Sequence, residues 1–171
     1  MNYMEIKYNN VANGPGVRTS LFVSGCSHAC PGCFNQEAWS SKAGLLFTED
    51  VKNEILNSLS KTYVDGLTLL GGEPFMGYNV PELISLCQTV KELYPKKTIW
   101  AYSGWTFDEL ILKEQNVELL KLCDVLVDGR WEESLYSPKL HFRGSSNQRI
   151  IDLQQTFEQD MIVLSKYNNK I

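Results

Sequence analysis

Three cysteines lie close together early in the chain, as Cys26, Cys30 and Cys33. They directly follow an apolar run, and Pro31 and Gly32 separate the last two of them. Proline and glycine favour a tight, non-helical loop, so the three sulfur atoms can converge on one object. Thiolates select iron–sulfur clusters, zinc or copper(I). The spacing C-x3-C-x2-C therefore predicts a soft-metal site on a loop at the end of a strand.

The number of cysteines in this loop indicates which kind of metal site it forms. A cluster with four irons normally takes four cysteine ligands, one for each iron. A loop that supplies three thiolates leaves one iron open, and an open iron can bind a substrate. We therefore expect a cluster with a reactive iron.

Two other interpretations of these cysteines stay open. His28 lies between Cys26 and Cys30 and could complete a closed Cys3His zinc site that only stabilises the fold. Its separation from each neighbouring cysteine is shorter than the usual spacing of zinc ligands. The three cysteines could also be core residues, although the Pro, Gly, Ser and His among them do not form an apolar face.

Length and composition limit the organisation of the chain. With 171 residues, 43% of them hydrophobic, it can bury one core but not two sizeable ones, so we predict a single domain over residues 1–171. The net charge is −4, and the longest basic cluster is Lys96-Lys97, so a nucleic-acid partner is not expected. A signal peptide and a membrane-spanning segment are not expected either, because no apolar run is long enough.

These features predict a cytoplasmic protein. In a reducing compartment, the five cysteines of the chain favour metal or thiol chemistry over disulfides. Cys87 and Cys123 lie beside leucines in helical patterns, and free buried cysteine behaves as a small hydrophobe. We therefore expect both to be packing residues outside the site.

Strand and helix patterns alternate along the chain. The predicted strands are residues 3–8, 17–24, 64–70, 98–102, 124–128 and 150–151, the predicted helices are 48–60, 80–93, 107–113 and 117–122, and 35–46 is an irregular loop. The nearly unbroken apolar run 67–70 suits a strand buried on both faces. The alternation therefore predicts an α/β fold with a parallel sheet covered by helices.

Candidate ligand-binding groups follow the ends of these strands. In parallel α/β domains, ligands bind at the carboxyl ends of the strands. The glycines of a strand-end loop let the backbone approach a ligand without obstruction. The candidate groups after the cysteine loop are Gly71, Gly72, Glu73, Ser103, Asp128 and Arg130.

The cysteine loop, the aromatic Phe34 that follows it and the Gly-Gly-Glu at 71–73 together resemble the radical S-adenosylmethionine (SAM) superfamily. The resemblance implies an incomplete (β/α) barrel with a mostly parallel sheet, and a [4Fe–4S] cluster and SAM as cofactors. It assigns the cluster to the three cysteines, the amino group of SAM to residues 71–73 and the adenine to Phe34. Further cofactor contacts are expected from Gly32, Ser103, Asp128 and Arg130.

Further segments are similar to one branch of that superfamily, the activating proteins of anaerobic ribonucleoside-triphosphate reductase. These segments are Asn13 before Gly-Pro-Gly, Phe22 to Cys26, Cys30 to Cys33, Val125 to Gly129, and Arg143 to Gln148. The resemblance covers roughly residues 8–150, and residues 152–171 receive no function from it.

This branch implies reductive cleavage of SAM to a 5′-deoxyadenosyl radical, which takes hydrogen from a glycine of the partner. The implied partners are the glycine loop of the large reductase subunit and a low-potential electron donor such as flavodoxin. Aromatic residues could line the face that receives this loop: Trp39, Trp105, Trp131 and Tyr136. His28 is expected beside the site or on the surface.

Three alternative functions stay open. An activase of another glycyl-radical enzyme, of the pyruvate formate-lyase type, shares the same core pattern. Residues 143–148 and the lack of an added cysteine cluster disfavour it. A small-molecule radical enzyme is less favoured because a short chain has little room for a substrate pocket. A zinc-stabilised binding module that uses His28 is the non-enzymatic alternative.

Overall fold

A computed structural model of the chain describes residues 1–169, which form one seven-stranded sheet flanked by helices. In spatial order the strands are β3, β1, β2, β4, β5, β6 and β7. Their bounds are β1 Asn2–Asn10, β2 Arg18–Val23, β3 Leu45–Leu46, β4 Gly66–Gly71, β5 Thr98–Tyr102, β6 Val125–Asp128 and β7 Arg149–Asp152.

The centre of the sheet is parallel and its two ends are antiparallel. Strands β2, β4, β5 and β6 pair in parallel, while β1, β3 and β7 pair with their neighbours in antiparallel orientation. Within residues 1–169 the sheet is open, with β3 and β7 at its two edges. The predicted α/β class with parallel central strands is confirmed.

Three of the five α-helices in residues 1–169 begin at a side chain that caps their first turn. The bounds of the five are α1 Glu49–Leu59, α2 Val80–Leu93, α3 Phe107–Leu110, α4 Glu114–Leu122 and α5 Leu153–Gln159. Thr48 accepts a hydrogen bond from the Val51 backbone N–H, and Thr106 forms a reciprocal capping box with Glu109.

None of the helices in residues 1–169 has the length and apolarity needed to cross a bilayer.

One strand and one α-helix were not predicted. The short strand β3 falls in the segment expected to be irregular, and it forms because Asn2 and Tyr3 of β1 pair with its two exposed leucines. Helix α5 lies in the C-terminal extension 152–171, the last two residues of which lie outside the described residues. Asp152 caps this helix by accepting from the Gln155 backbone N–H at 2.9 Å.

The main hydrophobic core lies between the helices and one face of the sheet. The central strands contribute fully buried residues to this face, including Leu21, Leu69, Ile99 and Leu126. Cys87 and Cys123 are also fully buried in this core. The prediction that these two cysteines are packing residues is therefore confirmed.

The opposite face of the sheet buries Arg18. Its guanidinium donates to Thr68 Oγ1 at 2.8 Å and to the carbonyls of Leu67 and Thr98 at 2.8 and 2.9 Å. The same group lies 5.8 Å from the ring centroid of Trp100. Burial lowers the pKa of Arg18 to about 10, so the side chain stays charged at neutral pH. One side chain thus links β2, β4 and β5.

The C-terminal segment covers part of this face. The Tyr167 ring lies 5.6 Å from Trp100 and 5.7 Å from Phe142, measured between ring centroids. Asn168 Oδ1 accepts from the Ile150 backbone N–H at 2.8 Å. Residues after α5 therefore pack against the sheet beside β7.

We predict that Arg18→Ala lowers the free energy of unfolding by about 3 kcal/mol, because it leaves several buried acceptors without a donor. Urea denaturation of the apo chain measures this loss. The control is Lys96→Ala, which truncates an exposed side chain. Equal denaturation midpoints for the two variants would contradict the stabilising role of Arg18.

Candidate functional site

The carboxyl ends of the four parallel strands surround a cavity of about 250 Å³. The strand register aligns Val23 of β2 with Gly71 of β4, so the loops that follow these strands start at the same edge of the sheet. The cavity is lined by residues of the cysteine loop and of the exits of β4, β5 and β6, together with Gly144 and Gln148. The structure thus brings the predicted strand ends together.

The cysteine loop has an irregular backbone. Ala29 and Gly32 both have positive φ angles, of 49° and 71°. The Cys33 backbone N–H donates to the carbonyl of Cys30 at 3.1 Å, which closes a tight turn. All three thiols of the loop are free, and their residues line the cavity. This is the tight, non-helical course that Pro31 and Gly32 predict.

The surroundings of Cys26 and Cys30 disfavour negative charge on their thiols. Burial raises the pKa of Cys26, and the neighbouring Glu73, Cys30 and Cys33 raise it further. Burial also raises the pKa of Cys30, with a further contribution from Cys33. Three thiolates beside a carboxylate need a cation to offset their repulsion. Three soft, free sulfur ligands on one loop fit an iron–sulfur cluster that lacks one cysteine ligand.

The zinc interpretation finds less support. Among residues 1–169, no group of three or more His, Cys, Asp or Glu side chains is arranged to hold a single metal ion. The His28 side chain is 4% exposed, and its Nε2 lies 2.8 Å from Glu73 Oε2. This nitrogen therefore interacts with a carboxylate. The sequence left open whether His28 lies beside the site or on the surface. The structure places its side chain in a buried position beside the site.

The Glu73 carboxylate is buried and contacts four donor groups of the protein. Its Oε1 accepts from the Phe75 backbone N–H at 3.0 Å and from Ser103 Oγ at 2.9 Å. Its Oε2 accepts from the Gly104 backbone N–H at 2.8 Å and lies against His28. A carboxylate has about four acceptor positions. Glu73 thus links the cysteine loop with the exits of β4 and β5, and its role toward a ligand stays a prediction.

Gly71 and Gly72 are required by close packing against β2. A Cβ on Gly71, which has a φ of +107°, would lie 2.6 Å from the Val23 backbone nitrogen. A Cβ on Gly72 would lie 2.5 Å from the carbonyl oxygen of Gly25. The Glu73 backbone N–H donates to that same oxygen at 2.7 Å. Both glycines also line the cavity, as predicted for backbone that approaches a ligand.

The remaining predicted polar residues have protein partners. Ser103 lines the cavity, but its Oγ also accepts from the Trp105 backbone N–H at 3.0 Å. The Asp128 carboxylate accepts from the Phe107 backbone N–H at 2.7 Å and pairs with Arg149. Arg130 is exposed. Neither Asp128 nor Arg130 is among the described residues that line the cavity. Their contacts with SAM stay predictions.

Two aromatic residues, Phe34 and Trp131, line the cavity, and Tyr136 packs against both. Phe34 is 71% exposed, and its ring centroid lies 5.1 Å from Trp131 and 6.0 Å from Tyr136. A Cβ on Gly32 or on Gly144 would contact the Trp131 ring at 3.1 or 2.7 Å. Trp131 therefore packs between the cysteine loop and the segment that contains Gly144.

Two indole groups beside the cavity lack a partner. In the described part of the chain, the Nε1 atoms of Trp39 and Trp131 are buried without a hydrogen-bond acceptor. Both residues line the cavity. Buried donors without an acceptor are costly unless a ligand or water supplies one. These two donors are compatible with a polar ligand.

Segment 143–148 folds against the exit of β6. Its residue types did not by themselves predict a role for it. Gln148 Oε1 accepts from the backbone N–H groups of Gly144 and Ser145 at 2.9 and 3.1 Å. Its Nε2 donates to the carbonyl of Gly129 at 3.0 Å. The family resemblance was the signal that pointed to this segment. No sequence pattern indicated the pairing of Arg149 with Asp128.

We predict that Glu73→Gln destabilises the apo chain by about 2 kcal/mol, because an amide NH2 would face donors that now have an acceptor. Chemical denaturation measures the change. Glu92→Gln, which alters an exposed carboxylate of α2, serves as the control. An unchanged stability of Glu73→Gln would show that the four contacts do not hold the strand ends together.

The raised pKa values predict slow alkylation of Cys26 and Cys30 in the apo chain. Because the thiolate is the reactive form, the rate with iodoacetamide should still be rising at about pH 9. Peptide mass spectrometry of samples quenched at successive pH values gives the rate for each cysteine. A rate that levels off below about pH 8 would contradict the raised pKa values.

Comparison with known proteins shows the family. The profile of a family described as a 4Fe–4S single cluster domain matches residues 12–151. The chain is 43% identical over 150 residues to the anaerobic ribonucleoside-triphosphate reductase-activating protein of Enterobacteria phage T4. The aligned residues cover 88% of this chain and 93% of the relative. The chain is 44% identical over 152 residues to the protein of the same name from Haemophilus influenzae, covering 88% and 97%.

The protein of that name from Escherichia coli K12 is 40% identical over 156 residues, which is 90% of this chain and the full length of the relative. The similarity therefore extends over nearly the whole of each chain, including the cysteine loop, the strand ends and segment 143–148. The chain belongs to the family of anaerobic ribonucleoside-triphosphate reductase-activating proteins.

Proposed function

We propose that this protein activates anaerobic ribonucleoside-triphosphate reductase by cleaving SAM reductively and generating a glycyl radical on the reductase. The observation that carries the proposal is the set of three free thiols on one loop, beside a cavity at the carboxyl ends of parallel strands. Three thiols match a [4Fe–4S] cluster with one iron left for a substrate. The names of the relatives favour this reductase over a pyruvate formate-lyase type of partner.

The cluster would be held by Cys26, Cys30 and Cys33. When bound, it supplies the electron that cleaves SAM to methionine and a 5′-deoxyadenosyl radical. The irregular backbone of the loop lets all three residues line the same cavity. The walls of the cavity then limit the access of water and oxygen to the reacting groups.

We assign the amino end of SAM to residues 71–73, which line the cavity. The carboxylate oxygens of Glu73 already have four protein contacts. The carbonyls of Gly71 and Glu73 already accept from Asn35 and Asn79. We therefore expect the Gly72 carbonyl to accept from the ligand's ammonium group. The Glu73 carboxylate would favour the same group through its charge at short range.

The other end of SAM is assigned to the opposite side of the cavity. Phe34 lines the cavity and offers an exposed ring for the adenine. Gly32 is assigned to the same end because a Cβ there would contact the Trp131 ring, which packs against Phe34. Ser103 is a candidate contact for the carboxylate or ribose because it lines the cavity. Asp128 and Arg130 flank Gly129, which lines the cavity, and are assigned to the same end of the ligand.

The partner's glycine must come to this site, because a primary carbon radical is too reactive to diffuse to it. We propose that the sheet is the incomplete barrel of the radical SAM type and that its open side admits the glycine loop of the large reductase subunit. Phe34 and Trp131 line the cavity, Tyr136 packs against both, and these three rings would contact that loop. A low-potential donor such as flavodoxin would supply the electron.

The free cysteines favour a cytoplasmic location for the protein, because that compartment keeps thiols reduced.

The test is anaerobic incubation of the reconstituted, dithionite-reduced protein with SAM and the reductase. We expect 5′-deoxyadenosine by chromatography and a glycyl doublet in electron paramagnetic resonance spectra. Cys30→Ala should abolish both signals, while Cys87→Ala, which alters a buried core cysteine, should retain them. A loaded cluster that yields neither product nor doublet would contradict the proposed function.

A further inference from the structure

His28 lies in the cysteine loop, but it is buried against the exits of β4 and β5. Its side chain is 4% exposed, and its ring packs edge-on against Trp105 with centroids 4.4 Å apart. Its Nε2 lies 2.8 Å from Glu73 Oε2. A polar side chain buried this deeply must have its hydrogen bonds satisfied. The contact with Glu73 supplies one of them.

Gly104 shows that the structure makes room for this ring. A Cβ at Gly104 would lie 2.5 Å from His28 Cδ2 and 2.6 Å from Nε2. The backbone of Gly104 lies outside the left-handed region, so its own conformation does not require glycine. The space needed by the His28 imidazole explains the glycine at this position.

The loop around His28 needs such an attachment. Ala29, the next residue, has a φ of 49°, a left-handed conformation that is unfavourable for a residue with a Cβ. Strained backbone persists where surrounding contacts hold it. His28 supplies a contact between the middle of the loop and Glu73, whose other oxygen is fixed by Phe75 and Ser103.

We infer that His28 is a positioning residue that fixes the cysteine loop against the exits of β4 and β5 through Glu73, and thereby sets the positions of the three thiols. This role deepens the proposed function and rests on it for the cluster, while the attachment of the loop is a property of the apo chain. His28 acts through its hydrogen bond and its packing, and it is not a ligand of the metal.

A double-mutant cycle on the apo chain tests the attachment without any cofactor. We expect Gly104→Ala to lower the midpoint of thermal unfolding by about 4 °C when His28 is present. In a His28→Ala background the same change should lower it by less than about 1 °C, because the clash is gone. Equal losses in the two backgrounds would overturn the inferred packing of His28 on Gly104.

Cluster reconstitution tests the positioning role. In His28→Phe, which keeps a ring but has no donor, we expect bound iron per chain to fall at least twofold. We also expect the electron paramagnetic resonance spectrum of the reduced cluster to lose its response to SAM. His28→Gln should restore both readouts, because its amide nitrogen can donate to Glu73 from a similar position. His141→Phe, at an exposed histidine, is the matched control.

The outcomes separate this inference from the proposed function. Full iron content and an unchanged response to SAM in His28→Phe would overturn the positioning role. A His28→Gln variant as defective as His28→Phe would do the same, because the hydrogen bond would then not matter. A wild-type chain that binds no iron would refute the proposed function, and the double-mutant cycle would still decide the attachment of the loop.

Discussion

The Glu73 carboxylate is the group on which the geometry of the site depends. It is 1% exposed, and its two oxygens meet donors from the cysteine loop, from its own strand exit and from the exit of β5. A buried carboxylate is stable only when such donors replace the water it has lost. Satisfying one charge therefore brings together the loops that surround the cavity.

The sheet buries a second charge, of opposite sign, in the same way. Arg18 is fully buried and donates to neutral oxygens of β4 and β5, while Glu73 accepts from neutral donors and from His28. Each charge orders neighbouring strands by collecting their polar groups. Close contacts between strand exits then require glycine, as at Gly71 and Gly72. The thiols lie in this ordered region, where burial disfavours the anionic forms of Cys26 and Cys30, and Glu73 adds to this effect at Cys26.

The sequence predicted the parallel core of the sheet, the starts of the helices near residues 48 and 107, and the buried state of Cys87 and Cys123, because each follows from a local pattern of polarity. It missed β3 because two exposed leucines become a strand only through pairing with β1. The cysteine loop was recognised from residue types and spacing.

The partners of the site residues were not predictable in the same way. The contacts of Glu73 with His28 and Ser103, and of Asp128 with Arg149, join residues that are far apart in the chain. Strand ends can be located from sequence. Which side chain of one strand exit forms a hydrogen bond with another exit depends on how the strands and loops pack. The glycine at 104 is of the same kind, since only the position of the His28 ring explains it.

The central claim is that the three thiols of this loop hold a [4Fe–4S] cluster with one iron open to SAM. Mössbauer spectroscopy of protein reconstituted with iron-57, recorded with and without SAM, tests it most directly. We expect the spectrum of a [4Fe–4S] cluster in which one iron site changes its parameters when SAM is added. A spectrum that SAM leaves unchanged, or a chain that binds zinc in place of iron, would contradict an open iron held by these three thiols.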